Sequence, residues 1–396
     1  MSSALWTAGA GAAALLLALV LTEPLRRFAV LRGITDRPTA RKAHTRPTPY
    51  LGGVAVAVAT LAAGMAAALA RGVLDPALAV LLGCGTIVCA LGLVDDLRQL
   101  GPRIRLCVET SAAATVVLVG GHPTLFGGAF DAVLAVLWIV FMTNAFNLLD
   151  NMDGVASSLC AVIGGLVCLT VASGGPGVVM AALAGACLGF LFHNRHPARI
   201  FLGDAGSLFL GFTLSSGVMV LHRGADGLSV PVVLLLVTLI PTVDTVLVMT
   251  SRYRESRPLL QGGTDHMTHR LRRMGMTVQQ VVRALCLVAA LGCLAGALVT
   301  HGAVAPGGAL VGAVLVGAVA VRLLLRVPST AGFPQHTEAR ASAPGRTARP
   351  VGTLRRGGTP GRRVQSADVP HSREVGKTSA MFPAASGPPA PNPSRD

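Results

Sequence analysis

Charged residues are scarce in this 396-residue sequence, at 13% against about 25% in an ordinary soluble domain. Aromatic residues are also few, at 4%, and the hydrophobic share of 52% consists mostly of alanine, valine and leucine. A chain with so little charge cannot cover itself in water, which excludes a typical soluble protein. Small apolar residues suit helices that pack closely in lipid, and the mean hydropathy is +0.63. The composition predicts a membrane protein.

Cysteine motifs are missing as well. The eight cysteines all fall in apolar segments without flanking metal ligands, which argues against a disulfide framework and a zinc site. The first apolar run lacks a preceding basic region, so we expect no cleaved signal peptide. The net charge of +15 would suit nucleic acid, but basic cytoplasmic loops are the usual orientation signal of membrane proteins. We therefore expect the lipid bilayer, and no nucleic acid, as a partner.

Eleven apolar segments approach the length of about 20 residues that a transmembrane helix needs. Each is predicted to be a helix, because lipid offers no partner to unpaired backbone groups. The fold class is therefore predicted as an all-α polytopic integral membrane protein with about 11 transmembrane helices. The segments lie roughly at 4–22, 50–70, 76–94, 104–120, 128–148, 155–173, 177–193, 205–221, 230–250, 279–299 and 303–325.

Lysine and arginine are distributed unevenly between the two sides of these segments. The connections after the odd-numbered segments hold 18 of them, whereas the opposite connections hold two, Arg71 and Arg223. The positive-inside rule then places the N-terminus outside and the odd-numbered connections and C-terminus in the cytoplasm. We predict a multi-pass protein of the cell (plasma) membrane in this orientation.

The chain changes character near residue 327. Residues 327–396 contain 11 of the 24 prolines and ten lysines and arginines. Such a segment buries too little apolar surface to offset its ordering entropy. We predict a multi-span domain over residues 1–326, followed by a disordered Pro/Arg-rich cytoplasmic tail over 327–396.

Polar residues interrupt the apolar pattern at the predicted cytoplasmic ends of the segments, where function is expected. Asp95 and Asp96 close the third segment, although mutual repulsion and the helix dipole both disfavour two carboxylates there. Arg103 and Arg105 follow within ten residues and supply positive charge. A cation or a proton-transfer role explains the pair better than a solvated helix end.

Five amide or carboxylate side chains lie within ten residues at the end of the fifth segment. At helical spacing Asn144, Asn147 and Asn151 share one face, with Asp150 beside them and Asp153 two residues on. Their oxygens are the hard ligands that Mg²⁺ prefers. A polar helix interface would explain one such asparagine, but it explains five groups poorly.

A lone acid opens the eighth segment. Asp204 lies between Gly203 and Gly206, an arrangement that suits the close approach of a phosphate or metal to a helix N-terminus. Alone, an aspartate here would often be an N-cap. Asp244 lies deeper in the ninth segment, where a structural and a functional role are equally open.

Two basic connections complete the pattern. His266, His269 and Arg270 are spaced so that one helical face could present all three to a diphosphate or sugar. Lys42 and His44, before the second segment, add cationic donors on the same side. Together with the acids they predict a phosphate-handling site that faces the cytoplasm. The sequence has no Walker loop, so ATP hydrolysis has no support.

The ordered set of motifs resembles the polyprenyl-phosphate N-acetylhexosamine-1-phosphate transferases of glycosyltransferase family 4, which are related to the phospho-MurNAc-pentapeptide translocases. The match covers about residues 20–325. The residues that carry it are Lys42–His44, Pro47–Gly53, Asp95–Asp96, Asn144–Gly154, Phe201–Ser207, Pro241–Asp244 and Asp265–Leu271.

The resemblance implies an enzyme that transfers a sugar-1-phosphate from a UDP-sugar to a polyprenyl phosphate. It implies UMP release and a requirement for Mg²⁺, with Mn²⁺ as an alternative ion. UDP-GlcNAc is the expected donor, and the product starts a lipid-linked cell-envelope glycan. Eleven spans look more like the GlcNAc-1-phosphate transferase branch than the ten-span translocases. A homodimer is left open.

The resemblance also assigns roles to individual residues. Asn147 and Asp204 match metal-site positions, while Asp95 and Asp96 match a pair near the metal and the acceptor phosphate, where one acts as a base. Asp153 matches the region that contacts the uridine. The other assigned residues are, for the diphosphate and sugar, His266, His269 and Arg270, and, for further substrate contacts, Lys42, His44, Arg105, Asn144, Asp150, Asn151 and Gly154.

Three positions depart from the usual motifs of this family. Thr268 stands where a second adjacent histidine is common, and Asn151 replaces a glycine. Arg105 stands where lysine is common, which keeps the charge but changes the geometry. These departures leave the reaction class intact and bear on the identity of the sugar.

Other functions are weighed against this one. An ion-coupled transporter would have ionisable groups near the bilayer midplane and inverted repeats, whereas the acids here sit at segment ends and the sequence shows no repeat. A lipid-binding or sugar-nucleotide-binding scaffold would not need the complete acidic set. Within the enzyme class, a phospho-MurNAc-pentapeptide translocase is the alternative.

Overall fold

The computed structural model describes residues 3–36, 48–170, 174–225, 227–258 and 263–329. Within these ranges the chain is almost entirely helical, apart from two paired antiparallel strands, β1 (Thr35–Asp36) and β2 (Thr48–Pro49). The helices are α1 (Ser3–Leu31), α2 (Gly52–Ala70), α3 (Pro76–Leu97), α4 (Pro102–Gly120), α5 (Ala129–Leu149), α6 (Val155–Thr170), α7 (Gly175–Asn194), α8 (Gly203–Leu221), α9 (Ser229–Val237), α10 (Leu239–Arg254), α11 (Met267–Arg273), α12 (Val278–Thr300) and α13 (Pro306–Leu324).

Eight helices of the described ranges are long and apolar enough to cross a membrane, or nine if the bent pair α9–α10 is one span. The helical multi-span fold is thus confirmed, but the predicted count of eleven is not. Helix α4 carries Arg103, Arg105 and Glu109 within its first eight residues. Helix α6 has 16 residues, which gives a length of about 24 Å against the roughly 30 Å of a hydrocarbon core.

The first helix is longer than its apolar segment. It was predicted to end near residue 22, but it continues to Leu31. Glu23 lies about one helical turn before two arginines and forms ion pairs with Arg26 at 2.8 Å and with Arg27 at 2.9 Å. Pairs at these spacings stabilise a helix, so charged residues extend α1 beyond the apolar run.

The segment predicted as one helix over 230–250 is broken. Helices α9 and α10 meet at a bend of 74°, with Thr238 between them. Pro241 has no N–H to donate to the carbonyl of Val237, so the helical hydrogen-bond ladder fails at this step. The bend turns α10 towards the polar residues that precede α11.

The core lies around α7 and α8, which are buried along most of their length. Helices α1, α2 and α6 pack on α7, whereas α3 and α5 pack on α8. Helix α13 stays largely exposed, as expected of a helix that faces lipid. This arrangement brings the ends of α3, α5 and α8 together.

Helices α2 and α8 approach each other through glycine. A Cβ added at Gly53 would lie 2.1 Å from the backbone nitrogen of Gly206. The Gly53 N–H donates to the carbonyl of Leu202 at 2.7 Å. Because these neighbours are backbone atoms, they cannot move aside as a flexible side chain would, and the contact fixes the start of α8.

We predict that Gly53→Ala destabilises the protein by at least the ~1–3 kcal/mol of an overpacked core. Gly64→Ala in the same helix is the matched control, because its Cβ would lie 3.5 Å from Val179, an ordinary contact. Thermal unfolding of the detergent-purified variants measures the difference. Equal melting temperatures for the two variants would contradict the backbone contact at Gly53.

The predicted tail and two predicted site residues fall mainly outside the described ranges. Lys42 and His44 lie in the gap between the first two ranges, and the tail lies beyond residue 329. Their predicted roles, and the division of the chain at residue 327, stay predictions.

Candidate active site

Arg105 of α4 connects acidic and amide side chains from three other helices. Its Nη1 donates to Asp95 Oδ2 at 2.8 Å and lies 3.6 Å from Asp204 Oδ2. Its Nη2 donates to Asn147 Oδ1 at 3.3 Å, and Asn147 Nδ2 donates to Asp204 Oδ1 at 2.7 Å. Residues predicted from separate motifs are thus brought into one hydrogen-bonded cluster.

Asp96 connects the end of α3 to the start of α8. Its two carboxylate oxygens accept the backbone N–H groups of Asp204 at 2.9 Å and Ala205 at 3.0 Å. A negative group is favourable at a helix N-terminus. Gly203 has φ +73°, and a Cβ there would lie 2.7 Å from Asp96 Oδ2. The adjacent acids therefore have different partners, since Asp95 pairs with Arg105.

Glu109 is a site-adjacent carboxyl that the sequence motifs did not identify. It is fully buried on α4 and accepts a hydrogen bond from Asn144 Nδ2 at 2.5 Å. Its Oε1 has no hydrogen-bond partner in the part of the chain that the structure describes. A charged residue four positions after Arg105 in an otherwise apolar helix was the available signal. The contact also means that Asn144 turns its amide nitrogen towards α4.

The expected common face of three asparagines is wrong for one of them. Helix α5 ends at Leu149, so Asn151 lies in the following turn and not on the face of Asn144 and Asn147. The Thr268 hydroxyl donates to Asn151 Oδ1. This hydrogen bond connects the turn after α5 to α11, and it involves the threonine that replaces the usual histidine.

Asp150 caps the end of α5. It lies near the group formed by Asp95, Asp96 and Asp204, which is called the aspartate cluster below. Burial, together with the carboxylates of Asp204, Asp96 and Asp153, raises the pKa of Asp150 to about 8. The group is therefore mostly protonated at neutral pH. Added negative charge from a substrate would favour the protonated form further.

Asp153 and Gly154 contact the segment that precedes α8. Asp153 Oδ2 accepts the Ala198 N–H at 3.1 Å and lies 2.7 Å from His196 Nδ1. The Gly154 N–H donates to Asn194 Oδ1 at 3.0 Å. The region assigned to the uridine is thus fixed on one side by residues 194–198.

Asp244 orients the segment that carries His266 and His269. Its Oδ1 accepts the Met267 N–H at 2.7 Å, and its Oδ2 lies 2.9 Å from His266 Nδ1. The rings of His266 and His269 have centroids 6.4 Å apart. The sequence left open whether Asp244 has a structural or a functional role. In the structure its carboxylate positions His266.

The expectation that two histidines and an arginine share one helical face is not met. His266 precedes α11 with an extended backbone. Arg270 is buried, and four of its five N–H groups donate to other parts of the chain. The acceptors are the Asp265 carbonyl at 2.9 Å, the Leu324 carbonyl at 2.9 Å, the Val327 carbonyl and Ser251 Oγ at 2.6 Å.

The Arg270 contacts hold α11 to the end of α13, so the guanidinium supports the site from within the protein. A direct contact between Arg270 and a substrate stays a prediction. Beside it, Asp265 forms a buried ion pair with Arg252 at 2.8 Å. Burial alone would raise the pKa of Asp265, but the bond to Arg252 holds the pKa below its usual value.

The oxygen atoms near Arg105 could hold a divalent cation. Within the described ranges, no three His, Cys, Asp or Glu side chains form a complete metal cluster. Mg²⁺ commonly uses one or two carboxylates and completes its shell with water and substrate phosphates. Asp204 and Asp95 offer carboxylate oxygens of that type beside Arg105, and Asn147 Oδ1 faces the same guanidinium.

The chain is similar to known proteins over most of its length. A protein-family model described as glycosyl transferase family 4 matches residues 78–222, which span most of α3 through α8. A Streptomyces coelicolor protein named as a candidate glycosyltransferase is 38% identical over 382 residues, which cover 94% of this chain and 90% of that protein. The chain belongs to glycosyl transferase family 4. The family predicted from the motifs is confirmed.

Other relatives of this family member have more specific names. The decaprenyl-phosphate N-acetylglucosaminephosphotransferase of Mycolicibacterium smegmatis is 30% identical over 316 residues, covering 70% of this chain and 78% of the relative. The undecaprenyl-phosphate alpha-N-acetylglucosaminyl 1-phosphate transferase of Escherichia coli is 26% identical over 309 residues, covering 71% of this chain and 80% of the relative. Both similarities extend well beyond residues 78–222.

The buried state of His269 predicts a pH dependence of stability. Burial and the positive charges of His266 and Arg273 lower the pKa of His269 to about 4, against the opposing effect of Asp244 and Asp265. An unfolded histidine has a pKa of about 6.5. The contribution of neutral His269 is therefore complete above pH ~6.5 and is lost as the pH falls towards ~4.

We expect the melting temperature of the purified protein to fall over that interval, and His269→Gln to reduce the slope. His301→Gln, at an exposed position after α12, serves as the control and should keep the wild-type slope. Melting curves between pH 4.5 and 8 measure both. An unchanged slope in His269→Gln would assign the acid sensitivity to other groups.

Proposed function

We propose that this protein transfers GlcNAc-1-phosphate from UDP-GlcNAc to a polyprenyl phosphate and releases UMP. The product would start a lipid-linked cell-envelope glycan. The observation that carries the proposal is the cluster of Asp95, Asp204 and Asn147 around Arg105, at the joined ends of three helices. The names of the mycobacterial and enterobacterial relatives support the sugar and the type of acceptor.

In the proposed reaction, an oxygen of the acceptor phosphate bonds to the β-phosphorus of the donor. The bond from that phosphorus to the bridging oxygen breaks, and UMP leaves with this oxygen. A phosphate monoester has a second pKa of about 6 and is largely ionised at neutral pH, so no base has to remove a proton. Asp95 and Asp96 already accept hydrogen bonds in the free protein, which suits a positioning role.

We propose that Asp204 and Asn147 hold Mg²⁺. When bound, the ion would neutralise charge on the donor diphosphate. Arg105 keeps the neighbouring carboxylates close together before substrates arrive, since it contacts both Asp95 and Asp204. Its fixed positive charge would also attract the phosphates of donor and acceptor.

The remaining predicted residues divide between the two parts of the donor. We propose that Asp153, Asn151 and Gly154 contact the uridine. His266 and His269 would face the diphosphate and sugar, with His269 acting as a neutral hydrogen-bonding group because of its low pKa. Hydrogen bonds to developing charge in a dry site are an effective means of catalysis.

We propose that the site and the C-terminus face the cytoplasm of the plasma membrane, with the N-terminus outside. The uneven distribution of lysine and arginine supports this orientation. The ends of α3 and α5 and the segment before α11 all carry polar site residues, and the sequence places these on the basic side. A cytoplasmic site would have direct access to soluble UDP-sugars.

The decisive experiment measures UMP release by purified protein with undecaprenyl phosphate, Mg²⁺ and a panel of donors. UDP-GlcNAc should support release, whereas UDP-MurNAc-pentapeptide should not. Asp204→Asn should lower the rate on the order of a hundredfold or more, because it removes charge from the reaction centre. Asp75→Asn, at the opposite end of α3, should keep the wild-type rate.

Two results would overturn the proposal. Release with UDP-MurNAc-pentapeptide alone would make the protein a translocase of the related branch. A folded wild-type protein that releases no UMP with any donor would favour a non-enzymatic scaffold that binds lipid or sugar nucleotide. Folding is checked by the melting temperature, so inactivity and misfolding are distinguished.

A binding measurement tests the Mg²⁺ proposal without relying on turnover. We expect Mg²⁺ with UDP to raise the melting temperature of the wild-type protein and of Asp75→Asn. Asp204→Asn should lose most of this increase, because it weakens an oxygen ligand. An equal increase in Asp204→Asn would place the ion elsewhere.

A further inference from the structure

An apolar groove runs between the bent pair α9–α10 and the exposed helix α13. Its volume is about 830 Å³, within the usual range for a small-molecule site of about 300–1,000 Å³. Leu239, Val243 and Val246 line one wall, and Val314 and Val321 line the other. Helix α13 packs on α9 and α10 but buries only Ala313, Gly317 and Leu324, so space remains between the helices.

Three arginines line the same groove: Arg254, the last residue of α10, and Arg322 and Arg326 at the end of α13. None of the three guanidinium groups has a hydrogen bond or ion pair with another residue in the described ranges. The end of α13 adjoins the segment before α11, since Thr264 Oγ1 donates to the Ser329 carbonyl. The arginines thus give one end of an apolar groove a positive charge that no acidic side chain of the described ranges pairs with.

The groove is separate from the candidate active site. Its lining residues on α10 are Leu239, Thr242, Val243, Val246, Thr250 and Arg254, whose spacing defines one face of that helix. The buried carboxylate that positions His266 belongs to a different face of α10, and no residue of the aspartate cluster lines the groove. A ligand in the groove would therefore not occupy the place of the sugar nucleotide.

We propose that the groove binds one chain of an anionic glycerophospholipid, with the lipid phosphate on Arg254, Arg322 and Arg326. An apolar chain suits the walls, and a phosphate matches the positive end, which argues for one amphipathic ligand. Arginine is well suited to phosphate because its planar group donates two parallel hydrogen bonds. The membrane supplies such lipids at high local concentration.

Lipid binding at this place would strengthen the contact between α10 and α13. Arg270 connects the same end of α13 to α11 through the carbonyls of Leu324 and Val327. An occupied groove should therefore raise the melting temperature of the whole protein. This expectation does not depend on the proposed reaction or on its substrates.

Native mass spectrometry of the detergent-purified full chain tests the proposal, with phosphatidylglycerol compared against phosphatidylcholine. The wild-type protein should bind phosphatidylglycerol more tightly and be stabilised by it. Arg322→Gln combined with Arg326→Gln should weaken this binding at least tenfold, since each basic group near an anionic lipid contributes about a factor of five. Arg32→Gln combined with Arg283→Gln removes two exposed arginines elsewhere and should have no effect.

The apolar half of the site has its own matched pair. Ala318→Phe fills the groove from an exposed position on α13, whereas Val316→Phe adds bulk at an exposed position outside the groove. Only Ala318→Phe should reduce phosphatidylglycerol binding.

Several results would overturn the proposal. Equal binding of the two lipids, or equal loss in the test and control arginine variants, would leave only a general charge effect. Competition by soluble glycerol phosphate at the same concentration as the lipid would show that the chain does not use the groove. A change of oligomeric state in Ala318→Phe, without any effect of lipid, would assign the groove to a second copy of the protein.

Discussion

The enclosure of several carboxylates at the end of one helix bundle is the constraint on which the rest of the site depends. Carboxylates that are partly removed from water repel each other strongly unless positive charge or N–H groups compensate them. Arg105 supplies the positive charge for Asp95 and Asp204, and the first N–H groups of α8 satisfy Asp96. The glycine contacts around α8 then follow as a requirement, because the helix must begin within reach of α3.

Much of the fold could be predicted from the sequence, because a helix that crosses lipid must be apolar over about 20 consecutive residues. Such a run can be read from the sequence without knowing how the helices pack. Apolar length identified the eight or nine helices that are long and apolar enough to span, but it also counted α4 and α6. The polar interruptions identified the side chains that the fold gathers around Arg105. The bend between α9 and α10 depends on the position of Pro241 within an apolar run, and hydropathy alone does not register it. The extension of α1 depends on the ion pairs of Glu23. These charged residues end the apolar run, so hydropathy predicts the end of the helix too early.

The site was predictable in its composition and less so in its connections. The motifs placed Asp95, Asn147 and Asp204 together because each lies at the predicted cytoplasmic end of its apolar segment. Which side chain contacts which partner depends on helix rotation and on packing between distant segments. For that reason the buried contact of Glu109 with Asn144 was missed.

The hydrogen bonds of Arg270 to the end of α13 have a consequence for biosynthesis. The guanidinium takes its acceptors from the carbonyls of Leu324 and Val327, more than fifty residues later in the chain. Residues 265–271 are therefore synthesised before the carbonyls that anchor them exist. The packing of His266 and His269 in the candidate site is therefore complete only after α13, the last helix of the described ranges, has been made.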